Sequence, residues 1–273
     1  MAYQADKVSK TSLNPPMILI DVEEQMKICE QSEMFIEQGD DFVFNHTKFI
    51  LQDQSGNYFY SKTSARLFPS VPIDLHELHT VPLKDFWPSF DPSMTRAPSP
   101  LAENHYVKRP SLLYYSDEHV QSLSDQIIHE VSVCEILRSN PHPNVVEYLG
   151  CIVKDDKIQG LCFTKYPVDL AERLRDKRPL DPELYLRSLR SAILHLHALG
   201  LVHNDINPKN IMINEDDMPI IIDFDSCKRE GELLDKSGTP DWSIEDARYA
   251  MRENDFFSFD LVEKYLLSEC SRV

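Results

Sequence analysis

The sequence predicts an α+β fold, and three observations carry that prediction. Between Asn104 and Asp223, stretches with apolar residues at every second position alternate with stretches where they recur every third or fourth. Taken in order these give a strand, a helix, two strands, a second helix, a polar loop and a pair of short strands. Upstream, apolar and polar residues alternate on both sides of Ser55-Gly56-Asn57, the mark of a β-hairpin. With 273 residues, 42% of them hydrophobic, the chain can bury a substantial core in one two-lobed domain or in two small ones.

Residues 1–16 read as a mobile tail, and the hairpin occupies DFVFNHTKFILQDQSGNYFYSKTS. The run WPSFDPSMTRAPSPL from Trp87 is dense in Pro and Ser, as loops and irregular edges are. HYVKRP is a short strand ended by proline. The first helix carries Val120, Leu123, Ile127, Val131, Cys134 and Leu137 on one stripe, with Ser116 or Asp117 available as its cap. VVEYLGCIV and GLCFTKY are strands joined by the turn KDDKIQ. Asp181-Pro182-Glu183 supplies an N-cap, a first-position proline and an acidic first turn for the second helix. Its stripe is Leu184, Leu189, Ala192, Ile193 and Leu196, and Gly200 closes it. LVHNDINPKNIMI and MPIIIDFDSC then place two short strands around a polar loop.

Composition narrows the function. A formal net charge of −17 argues against nucleic acid or an anionic membrane surface as partner, since both repel an acidic face. Six scattered cysteines without a C-x-x-C pair, four of them within apolar runs, fit a reducing compartment rather than a disulfide framework or a zinc site. No signal core opens the sequence, and no apolar run approaches the roughly 18 residues of a membrane span. The expectation is an intracellular, cytoplasmic or nuclear protein.

The chemistry concentrates in HNDINPKN and IIIDFD. An Asp and an Asn five apart on a loop let one side chain face a hydroxyl while the other faces a cation. An Asp at the end of an apolar strand suits a hard, oxygen-seeking ion. Asp205 and Asn210 form the first pair, and Asp223 follows Asn210 by thirteen residues. Together these segments resemble the protein-kinase family, whose catalytic loop reads H-R-D-x-x-x-x-N and whose metal-binding motif reads D-F-G. The resemblance covers about residues 100–242, with HPNVVEYLG and GTPDW as further matches.

The resemblance implies a two-lobed protein-kinase-like fold with a truncated C-terminal lobe and an N-terminal extension. The extension would take residues 1–80, the N-lobe 81–166 and the C-lobe 167–273. It implies ATP and Mg²⁺ as cofactors and a hydroxyl acceptor on a protein, Ser or Thr by preference. Asp205 becomes the catalytic base, Asn210 and Asp223 the metal ligands, and His203 a structural support. Lys108 of VKRP becomes the lysine that grips the phosphates, and Glu130 its partner on the first helix, ahead of the competing Glu135. Thr164 would guard the back of the nucleotide pocket and Tyr166 would sit in the hinge beside adenine. Lys209, four residues after Asp205, is assigned to neutralising the transferring phosphate.

The sequence also departs from the family. DFWPSFDPSMTRAPSPLAEN, where a Gly-rich phosphate loop belongs, has no glycine, and backbone amides cradle phosphate only where side chains permit close approach. Asn204 replaces the Arg before the catalytic Asp, which removes the usual partner of a phosphorylated activation loop. Asp225 stands in place of the Gly of D-F-G and adds a carboxylate beside the metal ligand. NDFFSFDLVEKYL resembles the core helix of the large lobe, with Asp255 as its buried acid. This overall economy is similar to compact kinase-like proteins of fungi. Two other functions stay open: a pseudokinase that only binds, and a small-molecule kinase of the choline-kinase or aminoglycoside-phosphotransferase type.

Overall fold

Strand, helix and turn signals are realised as antiparallel sheets and helices in a computed structural model, which describes residues 26–38, 41–67, 77–82, 86–114, 120–236 and 238–271. The N-terminal tail and the capping residues Ser116 and Asp117 lie outside the described residues. The class is α+β. Contacts divide the chain into two units, one of Met1–Trp87 with Pro110–Ser124, the other of Pro88–Arg109 with Asp125–Val273.

The first unit is built on a meander of β1 (Met26–Gln38), β2 (Asp41–Asp53), β3 (Tyr58–Thr63) and β4 (His79–Val81), in that order across the sheet. Strands β2 and β3 pair from Thr47↔Thr63 to Gln52↔Tyr58 around the Ser55–Asn57 turn. Asp53 holds that turn by accepting from the amide and the side chain of Asn57, both at 2.8 Å. Gly56 takes φ +85°, a left-handed conformation that favours glycine. Phe49, Ile50 and Leu51 are consecutive and all buried, so both faces of β2 are covered. Lys48 is buried too, and its Nζ donates to the Leu113 carbonyl at 2.8 Å.

In the second unit a three-stranded sheet runs β5 (His105–Lys108), β7 (Lys157–Thr164), β6 (Tyr148–Lys154). Helix α1 (Val120–Ser139) lends this unit Ile127, Val131, Cys134 and Leu137, all buried. The Pro- and Ser-rich segment clasps the β6–β7 hairpin: Ser89 bridges to Lys157 and Arg96 to Cys151. Gly150 makes the second contact possible, since a Cβ there would lie 2.6 Å from the Ala97 nitrogen. Among the described residues, no strand pairs with the outer edge of β5.

Below that sheet in sequence come β8 (Val168–Asp169), α2 (Leu170–Arg175), α3 (Pro182–Ala198), β9 (Leu201–Val202), β10 (Ile211–Ile213), β11 (Pro219–Ile221), β12 (Lys228–Arg229) and α4 (Arg252–Cys270). Asp181 caps α3 by accepting from the Leu184 amide at 3.1 Å. Leu189, Ala192, Ile193 and Leu196 are buried as the stripe requires, whereas Leu184 is exposed. Tyr185 takes the core position in its place, because the buried face begins one residue later than the spacing predicts. Strand β10 sits between β11 and β8, and β12 pairs with β9. Among the described residues, no helix is long and apolar enough to cross a membrane.

Candidate phosphoryl-transfer site

Strand β5 ends at Lys108 and α1 turns Glu130 inward beside Ile127, Val131 and Cys134. Lys108 Nζ meets Glu130 Oε1 and Asp223 Oδ1, each at 2.6 Å. Burial opposes the ammonium charge of Lys108, but the carboxylates of Glu130, Asp223 and Asp225 outweigh it and hold the pKa well above the ordinary lysine value. Burial pushes the Glu130 carboxyl up, opposed by Lys108 and reinforced by Asp223 and Asp225, to about 7. Glu135, the competing residue, faces elsewhere: it accepts from the amide and hydroxyl of Thr95 at 2.7 and 2.9 Å. It thereby ties the clasping segment to the helix.

The loop between β9 and β10 is hung on Asp255 of α4, which is fully buried. Asp255 accepts from the amides of His203 and Asn204 at 3.0 and 2.8 Å and contacts His197 Nε2 at 2.8 Å. Asn204 sits at φ +64°, strained for a residue other than glycine. Its amide side chain is used inside the protein, donating to the carbonyls of Val202 and Ser226 and accepting from Asn254. Both ring nitrogens of His203 are engaged, Nε2 on the Ile222 carbonyl and Nδ1 with the Asp205 amide.

Three donors orient the Asp205 carboxylate. Thr239 N and Asn207 Nδ2 reach Oδ1 at 2.7 and 3.2 Å, and Asn210 Nδ2 reaches Oδ2 at 2.9 Å. Asn207 lies within HNDINPKN and Thr239 within GTPDW, segments that resemble the family without marking these two as partners of Asp205. Ile222 donates its amide to the Asn210 carbonyl at 3.0 Å, which couples the loop to the strand that delivers Asp223. Asp223 takes φ +68°, a second residue at the site in the left-handed region. Lys209 is brought to Asp169 Oδ2 at 2.7 Å instead of to the Asp205 carboxylate. Asp169 is also the N-cap of α2.

Asp223 offers its second carboxylate oxygen and Asn210, donating through Nδ2, its amide oxygen. Two oxygen donors of this kind fit Mg²⁺, which binds through one or two carboxylates and takes the rest of its shell from water and phosphate. Asp225 meets Lys236 Nζ at 2.9 Å. Partial burial opposes the Lys236 charge, but Asp225, with the fields of Asp223 and Asp205 added, holds its pKa above the ordinary value. No sequence motif marks Lys236. At the other end of the sheet, Thr164 donates its hydroxyl to Glu147 at 2.8 Å. The Lys165 amide is taken by the Asn104 carbonyl at 2.8 Å. Tyr166 is half-buried, and burial raises its phenol.

Residues 112–264, just over half of the chain, match the family described as protein kinase domain. The chain is 29% identical over 148 residues to serine/threonine-protein kinase TAO3 of Homo sapiens, covering 52% of this chain and 16% of that one. It is 31% identical over 113 residues to MAP kinase kinase kinase SSK2 of Saccharomyces cerevisiae, covering 40% and 7%. Serine/threonine-protein kinase/endoribonuclease IRE2 of Homo sapiens is 32% identical over 100 residues, covering 33% and 11%. The chain thus spans only a small part of the length of these relatives.

Proposed function

The chain belongs to the protein kinase domain family, and from that premise we propose that it transfers the terminal phosphoryl group of ATP to a protein Ser or Thr hydroxyl. The observation that carries the reading is the meeting of Lys108, Glu130 and Asp223 at 2.6 Å, from three distant points of the sequence. Lys108, kept charged by its two carboxylates, binds the phosphates of the donor. Asp205, held by Thr239, Asn207 and Asn210, orients the acceptor hydroxyl and takes its proton. The acceptor oxygen forms a bond to the terminal phosphorus as the bond from that phosphorus to the bridging oxygen breaks, and ADP leaves. Mg²⁺, bound through Asn210 and Asp223, would neutralise charge on the phosphate oxygens. Thr164 and Tyr166 flank the nucleotide base, and Lys209 is the catalytic-loop cation. The free cysteines support a reducing compartment.

One observation favours a second reading, a kinase-shaped binding module. The outer edge of β5 has no strand paired to it among the described residues, and the segment ahead of it clasps β6 and β7 instead. Among the described residues, no phosphate loop is laid over Lys108. Thermal unfolding with ATP and Mg²⁺ decides between the two, because a ligand bound only to the folded state stabilises it by about 2.7 kcal/mol at a hundred times its dissociation constant. We expect a Mg²⁺-dependent rise in the midpoint that Asp223→Asn abolishes. No rise at millimolar ATP would leave the binding module.

A further inference from the structure

Four carboxylates surround the candidate site, those of Glu130, Asp205, Asp223 and Asp225. A nucleoside triphosphate brings more negative charge into this half-buried space, and each added anion must meet a cation. Lys108 is already bound twice, to Glu130 and Asp223 at 2.6 Å. Lys209 is held by Asp169, a carboxylate outside this group that also caps a helix. Lys236 is placed differently. Its ion pair among the described residues is to Asp225, itself one of the four, at 2.9 Å; exposure does not set it apart, since its side chain is 48% exposed and that of Lys209 55%. Exchanging an exposed pair of that kind costs little.

The segment that carries Lys236 is anchored at the reacting end of the site. Three residues on, the Thr239 amide donates to Asp205 at 2.7 Å. Gly238 lies so close to the catalytic loop that a Cβ would stand 2.5 Å from the Asn204 carbonyl oxygen. The ammonium is therefore tethered between Asp225, which neighbours Asp223, and the contact with Asp205. Asp225 also accepts from the Ser226 hydroxyl at 3.0 Å, so its carboxylate is fixed as a seat for Lys236.

We propose that Lys236 is a phosphate-binding residue of the nucleotide site, its ammonium passing from Asp225 to the terminal phosphate when a nucleoside triphosphate binds. This rests on the phosphotransferase reading above. It gives the acid at Asp225 a purpose: the carboxylate holds the cation at the site until the phosphate takes it.

The test is calorimetric titration of the full chain with ATP and with ADP, each with Mg²⁺, for wild type, Lys236→Gln and Lys236→Arg. Wild type should bind ATP more tightly than ADP. Lys236→Gln should lose about fivefold in affinity for ATP and nothing for ADP, the effect of one partly exposed charge on one phosphate. Lys236→Arg should retain the preference. Circular dichroism and the ligand-free melting midpoint report whether each variant is folded. An unchanged ratio of the two affinities in Lys236→Gln, whether or not both fall together, would overturn the proposal. If wild type binds neither nucleotide, the phosphotransferase reading fails and takes this proposal with it, a result distinct from the others.

Discussion

Lys48 and Asp255 are both buried charges, and the protein treats them in opposite ways. Asp255 receives two backbone amides and a histidine, so its burial organises a loop. Lys48 has the Leu113 carbonyl at 2.8 Å and lies 5.0 Å from the Tyr60 ring centre. Burial, with Lys62 adding repulsion and Glu30 opposing it, lowers its pKa to about 8 from 10.5. Between those values the unfolded chain binds more protons than the folded one, so stability rises with pH across that window. The gain is on the order of 3 kcal/mol from pH 8 to 10.5. Lys48→Met should abolish this rise. Urea unfolding followed by Trp87 fluorescence in a Trp242→Phe background measures it, and parallel pH curves for the two proteins would refute the assignment. At this scale the sequence was readable where a motif or a helical phase constrains the side chain. Glu135 leaves too short a helix remainder before His142 to be the partner, and Glu130 is the acid that meets Lys108, at 2.6 Å. The partners of Lys209 and Lys236 were not readable, because ion pairs between segments 40 and 11 residues apart follow from packing and leave no periodic trace.

The element that governs the site is the segment from β12 to α4. Its start is fixed by the pairing of Lys228 with Val202. Its middle folds back on its end: Gly231 and Leu234 donate to the carbonyls of Ala250 and Arg248 at 2.7 and 2.9 Å. Between these anchors, Gly238 lets the backbone approach Asn204 closely enough for Thr239 to reach Asp205. Gly238→Ala must push the segment away, since the obstructing atom is a backbone oxygen that cannot rotate aside. The Thr239 amide should then exchange with solvent about tenfold faster, while protection in α3 stays as it was. Unchanged exchange at Thr239 would show that the contact with Asp205 survives. Asp181→Ala acts on an element of another kind, removing a cap worth about 1 kcal/mol of stability. That helix announced itself through capping chemistry, which is local. The segment after Asp225 did not, because its course is set by hydrogen bonds to residues far off in sequence.

At the scale of the whole molecule, the first unit is discontinuous, joining Met1–Trp87 to Pro110–Ser124. A linear reading divides the chain into consecutive blocks, and no feature of composition assigns Pro110–Ser124 to the strands before it. The bonds that do so are specific. Glu30 accepts from the Leu112 amide at 2.9 Å and from the Ser111 hydroxyl at 2.5 Å. Lys48 donates to the Leu113 carbonyl, and Leu112 is only 2% exposed. A chain beginning at Pro88 keeps every residue of the candidate site yet leaves this internal stretch without its partners. Exposing Leu112 costs about 2 kcal/mol, and each lost hydrogen bond about 1 kcal/mol more. Residues 88–273 should therefore bind a hydrophobic dye and melt at a lower temperature than the full chain. Glu30→Ala in the full chain should reproduce a milder form of that loss. If residues 88–273 melt as high as the full chain and bind no dye, the meander contributes nothing to the stability of the second unit, and its purpose must be sought in what it binds.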